Sequence, residues 1–456
     1  MIRTPVAIVG LLLASASYAQ DIDAVVNAEM KARKIPGLSL VITKGDKVIK
    51  RSVYGMNDLE QNTPINENHV FESGSIGKTF TATVILQLVE EGKLKLDDTL
   101  GVRYPNCPEL WKPLTIRQLL THMSGLADYA TIPTLGLVDQ WTYEEWLTKM
   151  PAQPFDFKTG QLFAYSNTNY LILGKIAEDI LKVPITQAVQ TRIFDKAGMK
   201  KSYISDQMLI IPHRAHGYLN TPQGHMNGLF IEPGYGDGTF INHPEDLVAF
   251  EKAFREGMFL KSAEVEAAQA SAKTPGGRTT GYGFGWFVRN VNGIKAVSHG
   301  GNTAGFCASM MRIPSEQLTI VLMGNVHDVP GDGIALKIAE AFIPAMKYKA
   351  PAAKTDPNPE RTAMLIGTLK TLSTGTLDPA QLDPEMIVRL STARGKMGLP
   401  GLARFKDVAE LAFLESSVDG PDSVLKYRGK IADRAQIFTF VVSKEGKVYS
   451  VSATPE

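Results

Sequence analysis

The clearest hydrophobic pattern in the chain lies between Lys78 and Gly92. Apolar residues recur there with the 3.6-residue period of a helix, most clearly at Val84, Ile85 and Leu88. Gly92 is a typical residue to end such a helix. The sequence therefore predicts a buried helix that starts close to Lys78.

Strand-like segments occur on both sides of this helix along the chain. GLSLVITKGDKVIKRSVYG is typical of a hairpin that turns at Gly45-Asp46, and GYGFGWFV, GIKAVSH, GFCASMMRI and LTIVLMGN supply further strands. From about Lys95 to His225 the pattern is instead helix and loop. Asn242, with Glu245 three residues later, resembles a capping box opening the helix EDLVAFEKAF. These segments indicate a mixed α+β chain.

A Pro-, Ala- and charge-rich stretch, KYKAPAAKTDPNPER, separates a last unit from the rest of the chain. We expect a linker at 349–359 and a small α+β domain at 360–456, with a leading helix and a final meander of strands. No catalytic constellation is evident in this unit. It could pack on a cleft, dimerise or bind cell-wall material, and the sequence leaves these alternatives open.

The first residues are typical of a secretory signal peptide. Arg3 precedes a short apolar stretch from Val6 to Ala14, and Ser17-Tyr18-Ala19 resembles a cleavage site. The apolar stretch is shorter than the roughly 20 residues that span a bilayer. We therefore expect 1–19 to be removed, no membrane anchor to remain, and the mature protein, whose hydrolase domain would cover 20–348, to be periplasmic or secreted.

Composition limits the classes of partner and cofactor. The 456 residues are 44% hydrophobic and 21% charged with a net charge of +1, which implies no nucleic-acid partner. The two cysteines, Cys107 and Cys307, are far apart in sequence and are expected to stay separate. No CxxC or HExxH motif accompanies them, so we expect no metal and no cofactor.

The stretch ESGSIGKTFT at residues 72–81 has two possible functions. GKT before an apolar helix could end a phosphate-binding loop, but such a loop needs a glycine at the position that Glu72 occupies. Ser75-Ile-Gly-Lys78 also matches the S-x-x-K nucleophile motif of serine hydrolases. Ser75 and Lys78 share one helix face at this spacing, whereas a second match at Ser423 lies in a turn entering a strand. The helical context favours Ser75 as nucleophile.

Two further motifs complete a candidate constellation. Tyr165-Ser166-Asn167 gives Y-x-N before an apolar helix that begins near Tyr170; a second Y-x-N starts at Tyr218. The segment 298–305, SHGGNTAG, lies between two strand-like runs, and its glycines could let a substrate approach the strand. A K-T-G triplet at 158–160 lies in a turn and is rejected as the third motif. A serine needs such a base, relay and oxyanion hole to act as nucleophile.

With these motifs in the order S-x-x-K, Y-x-N, H-x-G, the chain from about 25 to 345 resembles the class C β-lactamase-like serine hydrolases, a group that also holds D-peptidases, D-aminopeptidases and esterases. Matching stretches include FESGSIGKTFTATVILQLVEEGKLKLDD, LTIRQLLTHMSGLADY, FAYSNTNYLILGKIAEDI, GTFINHPEDLVAF and YGFGWFV…SHGGNTAGF. The resemblance implies an antiparallel sheet flanked by helices, an all-helical subdomain, and a cleft between them.

The resemblance also implies roles for the site residues. Ser75 would be acylated, Lys78 would activate it, and Tyr165 would share a proton with them, although the sequence leaves open which of the two is the base. Asn167 would order the pocket. The remaining expected substrate or oxyanion contacts are His299, Gly300, Gly301 and the backbone N–H of Asn302.

His299 departs from the lysine that many relatives carry at this position. A neutral imidazole is a weaker carboxylate anchor near pH 7, so we expect hydrolysis of small esters or D-amino-acid peptides. The alternative is a β-lactamase or a penicillin-binding sensor with little turnover. His122 is expected to be a structural, hydrogen-bonded residue, while Asp128 and Tyr129 could border the cleft.

Overall fold

The computed structural model describes residues 22–133, 135, 141–206, 208–228, 235–238 and 240–456. The predicted signal peptide lies outside these ranges. Within them the strands are β1 (Gly37–Lys44), β2 (Lys47–Asp58), β3 (Thr63–Pro64), β4 (Phe71–Glu72), β5 (Tyr203–Ile204), β6 (Tyr218–Thr221), β7 (Gly224–Asn227), β8 (Phe240–Asn242), β9 (Phe287–Val291), β10 (Ile294–Thr303), β11 (Phe306–Ile313), β12 (Leu318–Gly324), β13 (Ala412–Asp419), β14 (Asp422–Ile431), β15 (Arg434–Val442) and β16 (Val448–Pro455).

The α-helices within the same ranges are α1 (22–33), α2 (Gly77–Glu90), α3 (Leu100–Arg103), α4 (Ile116–Leu120), α5 (Tyr143–Lys149), α6 (Asn167–Leu181), α7 (Ile185–Val189), α8 (Asp195–Ala197), α9 (Pro244–Arg255), α10 (Ser262–Ala268), α11 (Gly331–Phe342), α12 (Pro359–Ser373), α13 (Pro384–Ser391) and α14 (Ala393–Gly398). No helix in these ranges is both long and apolar enough to cross a membrane.

Among the described residues, seven strands form one antiparallel sheet in the order β3-β2-β1-β12-β11-β10-β9. Both of its faces are buried, which explains why its central strands are almost wholly apolar. In β12 the side chains alternate between the two faces. Ile320 and Leu322 pack with α1 and α11, while Val321 and Met323 pack in the core that contains α2 and α9. This two-sided burial follows from side chains alternating across a strand.

The sheet and its flanking helices confirm the predicted fold class. The first hairpin turns at Gly45-Asp46 as predicted, since Lys44 pairs with Lys47. Two local predictions are wrong. The cap of α9 is His243, whose side chain accepts the Glu245 N–H, while Asn242 ends β8. In GYGFGWFV the strand begins only at Phe287.

A helical subdomain covers one side of the sheet core. Helices α3 to α8 pack with α2 in one hydrophobic core, in which Trp111, Trp146 and Tyr170 are completely or almost completely buried. Short 3-10 or π-helical turns join these elements at Gly74–Ile76, Glu109–Trp111, Tyr129–Thr131, Met150–Ala152 and Gln190–Phe194. The cleft described below lies where this subdomain meets the sheet.

The last part of the chain forms its own core. Strands β13 to β16 pair in sequence order as an antiparallel meander, as predicted, and pack against α12 and α13. Residues 347–358 contain no helix or strand. The exact domain boundaries stay a prediction.

The two cysteines are buried free thiols. Cys107 belongs to the core that contains α2, and Cys307 belongs to the core on the other face of the sheet.

Candidate active site

The predicted nucleophile lies on a tight turn at the start of α2. Ser75 is in the 3-10 turn Gly74–Ile76, and α2 begins at Gly77, so the serine immediately precedes the α-helix rather than lying in its first turn. Gly74 has a φ of +51°, a conformation that favours glycine. Lys78 follows one turn later and is fully buried, and its Nζ lies 3.1 Å from Ser75 Oγ.

The other contacts of Lys78 orient its amine toward the serine. Nζ donates to Asn167 Oδ1 at 2.7 Å and to the backbone oxygen of Asp237 at 2.5 Å. Both oxygens only accept hydrogen bonds, so two N–H groups are committed to them. The remaining tetrahedral position on Nζ faces Ser75 Oγ. A protonated Lys78 donates there, whereas a neutral Lys78 presents its lone pair to the serine O–H.

The loop from His122 to Asp128 holds the Y-x-N turn. His122 is fully buried with a φ of +55°, and its Nδ1 accepts the Ser166 N–H at 3.2 Å. Asp128 Oδ1 accepts the Asn167 N–H at 3.1 Å, at the start of α6. Burial, and then the charge of Lys78, keep the pKa of His122 well below its ordinary value. His122 is therefore a neutral residue that positions this turn, as the sequence predicted.

Tyr165 reaches the same place, but without the predicted hydrogen bonds. Its phenol oxygen is buried and has no hydrogen-bond partner among the described residues. Lys78 Nζ lies 5.1 Å from the centre of the Tyr165 ring. The expected direct sharing of a proton between Tyr165, Ser75 and Lys78 is thus not formed here. A buried phenol without a partner is costly and requires a reason.

The edge of the sheet approaches the nucleophile at β10. Strand β9 pairs with β10 only from Ile294 to Ser298, so the following residues of β10 have β11 on one side and the nucleophile turn near the other. A Cβ on Gly301 would lie 1.9 Å from the backbone oxygen of Ser73. A Cβ on Gly74 would lie 3.0 Å from the backbone nitrogen of Asn302. Glycine at 74 and 301 therefore permits this close approach.

His299 is a neutral, buried imidazole. Its Nδ1 lies 2.7 Å from the backbone oxygen of Gly300, which can only accept, so Nδ1 carries the proton. Nε2, 3.0 Å from the phenol oxygen of Tyr282, then accepts the tyrosine O–H. Burial, followed by the charge of Lys78, lowers the pKa of His299 to about 3. His299 consequently provides no positive charge for a substrate carboxylate at neutral pH.

A cavity of about 760 Å³ brings the predicted residues together. Every site residue predicted from the sequence lines this cavity except Lys78, which lies buried behind Ser75. The described lining is Ser75, Ala130, Thr131, Tyr165, Asn167, Phe287, His299, Gly300, Gly301, Asn302, His327, Asp328, Pro330, Gly331, Asp332, Arg394, Met397 and Gly398. The rejected K-T-G triplet is not among these residues. A larger cavity of about 870 Å³ lies in the C-terminal unit, but none of its described lining residues is Ser, Cys or His.

Several site residues were not found from the sequence. The carboxylate of Asp237 is buried, accepts the Tyr129 O–H at 2.5 Å, and has a pKa raised by burial. Glycines on both sides of Asp237 are the only local indication of its position. Arg394 has no local indication at all. Asp128 and Tyr129 are buried beneath the cleft, and the neighbouring residues Ala130 and Thr131 line it instead.

The described ranges contain no group of three or more His, Cys, Asp or Glu residues arranged to hold a metal ion.

Comparison with known proteins identifies relatives over most of the chain. A family model described as "Beta-lactamase" matches residues 22–343. Penicillin-binding protein 4* of Bacillus subtilis (strain 168) is 27% identical over 347 residues, which cover 70% of this chain and 74% of that protein. A D-aminopeptidase of Gluconobacter oxydans (strain 621H) is 23% identical over 403 residues, covering 84% of this chain and 74% of its own length.

Solved structures share the fold. A D-amino acid amidase from Ochrobactrum anthropi SV3 superimposes with a TM-score of 0.62 at 24% identity, covering 72% of this chain and 98% of the amidase. An octameric penicillin-binding protein homologue from Pyrococcus abyssi gives a TM-score of 0.61 at 23% identity and covers 96% of this chain and 98% of its own. The second similarity extends through the C-terminal unit.

Proposed function

Because the chain belongs to the β-lactamase family and is a serine hydrolase, we propose that it hydrolyses small esters or D-amino-acid peptides through an acyl-enzyme on Ser75. The observation that carries this proposal is the arrangement around Lys78. Its amine lies 3.1 Å from Ser75 Oγ, and two obligate acceptors hold its other donors. The serine opens onto a cavity large enough for a small substrate.

In the proposed acylation, neutral Lys78 takes the proton of Ser75 as Oγ attacks the substrate carbonyl carbon. The backbone N–H groups of Ser75 and Asn302 are suited to stabilise the negative oxygen that develops. Cleavage expels the leaving group, which takes up the proton that Lys78 had accepted from Ser75. Water then attacks the acyl-enzyme, and release of the acid restores Ser75.

The environment of His299 supports the choice of substrate. A neutral histidine at this position gives no ammonium on β10 to bind the carboxylate of a β-lactam. The names of two similar proteins, a D-aminopeptidase and a D-amino acid amidase, agree with amide or peptide substrates in the D series. The predicted signal at 1–19 supports a periplasmic or secreted location as part of the same proposal.

A β-lactamase or a penicillin-binding sensor with little turnover is the second candidate. The similarity to penicillin-binding protein 4* favours it. A β-lactamase would differ from the first candidate in its substrate, whereas a sensor would form the acyl-enzyme without hydrolysing it.

Labelling and turnover separate the candidates. A fluorophosphonate probe should label the wild type and Ser423→Ala but not Ser75→Ala. Turnover is then measured with p-nitrophenyl esters, D-alanyl peptides and nitrocefin. We expect Ser75→Ala to lose at least about 10³-fold in kcat/KM on esters. Stable labelling without ester or peptide turnover would support the sensor, and equal labelling of Ser75→Ala would refute the assignment of the nucleophile.

A further inference from the structure

One wall of the active-site cavity comes from the C-terminal unit. Arg394, Met397 and Gly398, all on helix α14, line the cavity that contains Ser75. The start of this helix is capped by Thr392, whose side chain accepts the Gly395 N–H at 2.9 Å. The wall therefore comes from an ordered helix that is far from the S-x-x-K and Y-x-N motifs in sequence.

A buried charge cluster fixes this unit to the rest of the molecule. Arg278, which is 12% exposed, contacts Asp422 at 2.8 Å, Asp383 at 3.0 Å and Glu385 at 2.9 Å. The three acids belong to the C-terminal unit. Charge-assisted contacts of this kind are strong and directional, so they hold the C-terminal unit, which includes α14, against the rest of the molecule.

The guanidinium of Arg394 lies at the boundary between protein and cavity. Its Nε donates to Asp128 Oδ2 at 3.0 Å, and Nη2 donates to the same oxygen. The guanidinium carbon lies 5.4 Å from the centre of the Tyr165 ring. The side chain of Asp128 is 3% exposed, whereas that of Arg394 is 48% exposed. Arg394 thus lines the cavity and keeps nearly half of its side chain accessible.

Some donors of Arg394 make no hydrogen bond to the described part of the protein. Both hydrogen bonds to Asp128 come from one edge of the guanidinium, and Nη1 has no hydrogen-bond partner in the described part of the chain. Asp128 is also stabilised by the Asn167 N–H at the start of α6, where the helix dipole favours negative charge. The free end of the guanidinium has the planar geometry that binds a carboxylate through two hydrogen bonds.

No other charged residue of the described lining offers a cation to a bound anion. Among the described lining residues, Arg394 is the only lysine or arginine. Lys78 lies behind Ser75 with its donors occupied. The carboxylate of Asp332 is bound by Arg289, Ser298 and Ser309. Asp328 adds a negative charge elsewhere on the lining, so an anionic substrate group is directed toward Arg394.

We propose that Arg394 is a specificity-determining residue that binds a carboxylate of the substrate, in place of the cation that His299 does not supply. The C-terminal unit thereby completes the substrate site. This inference rests on the proposed hydrolase function and names a chemical class within it: esters or peptides that carry a negative group beyond the scissile bond.

A matched pair of substrates tests this inference. 4-Nitrophenyl hydrogen adipate carries a carboxylate, and its methyl ester has the same acyl chain and leaving group without the charge. The measured quantity is the ratio of kcat/KM for the anionic over the neutral ester. We expect Arg394→Gln to lower this ratio about tenfold, mainly through KM, and Arg394→Lys to lower it less. Arg404→Gln, in the same unit but outside the cavity lining, should leave the ratio unchanged.

Stability is controlled separately, because Arg394→Gln leaves Asp128 buried without its ion pair. The double variant Arg394→Gln with Asp128→Asn removes that unpaired charge and should show the same fall in the ratio. The inference would be overturned if Arg394→Gln left the ratio unchanged, as it would by losing activity equally on both esters. It would also be overturned if the wild type showed no preference for the anionic ester. Failure of the proposed function gives a different result, namely equal rates for the wild type and Ser75→Ala on both esters.

Discussion

Replacing Gly301 by alanine tests whether the edge of β10 sets the geometry around Ser75. The added Cβ would lie 1.9 Å from the backbone oxygen of Ser73 and 3.2 Å from the backbone nitrogen of Ser75. Backbone atoms cannot rotate out of the way as a flexible side chain can. The strand and the nucleophile turn must therefore separate.

The size of this separation follows from the contact distance. Real Cβ contacts stay beyond 3.0 Å, so the two segments must move apart by at least about 1.1 Å. A misplacement of about 1 Å at a catalytic site can cost about 10²-fold in rate. This corresponds to about 2.7 kcal/mol at 1.36 kcal/mol for each factor of ten. We expect a loss of this size in kcat/KM for Gly301→Ala.

Gly300→Ala is the matched control. Its Cβ would lie 3.2 Å from Asp332 Oδ1, a side-chain atom, and 3.5 Å from the nearest backbone oxygen. We expect this variant to lose far less activity on the same p-nitrophenyl ester. Thermal unfolding of both variants separates a local shift from a loss of folding. If Gly301→Ala folds and keeps the wild-type kcat/KM, then glycine is not required for the strand edge and the nucleophile turn to lie this close.

Two further predictions concern buried ionisable groups. Lys78→Met should lower kcat/KM on aryl esters by about 10³-fold, within the range expected for loss of a general base, and a loss below tenfold in steady-state assays would contradict that role. Burial raises the pKa of Glu72 from 4.5 to about 7, so between these values the folded state binds more protons and stability falls as pH rises. The unfolding free energy of the wild type should therefore fall between pH 5 and pH 8, and Glu72→Gln should make this fall smaller by roughly 2 to 3 kcal/mol in urea denaturation. The same fall in both proteins would argue against this effect of Glu72.

Local patterns were sufficient to predict most of the fold. The alternation of apolar residues, the hairpin at Gly45-Asp46 and the helical period after Lys78 each depend on neighbours in sequence. The S-x-x-K spacing likewise brings Ser75 and Lys78 within 3.1 Å because it is close to one helical turn. Such features could be predicted because their geometry is set within a few residues.

Features that depend on distant segments could not be predicted in this way. Arg394 contacts Asp128 across 266 positions of sequence, and nothing near Arg394 indicates that contact. The cap of α9 shifted to His243 because Asn242 is used by β8, where its side chain donates to Ser202. Tyr165 lines the cavity, but its phenol oxygen makes no hydrogen bond to Lys78, a distinction that short motifs do not encode.

Because α14 lines the cavity that contains Ser75, the last hundred residues contribute to the proposed substrate site. A recombination event that exchanged this segment between homologues would replace part of the binding surface and leave Asp128 without its counterion. Given the proposed role of Arg394, substrate preference would then change although every motif residue stayed the same. Grouping such enzymes by the region that the family model matches, which ends at residue 343, would place together proteins with different specificities.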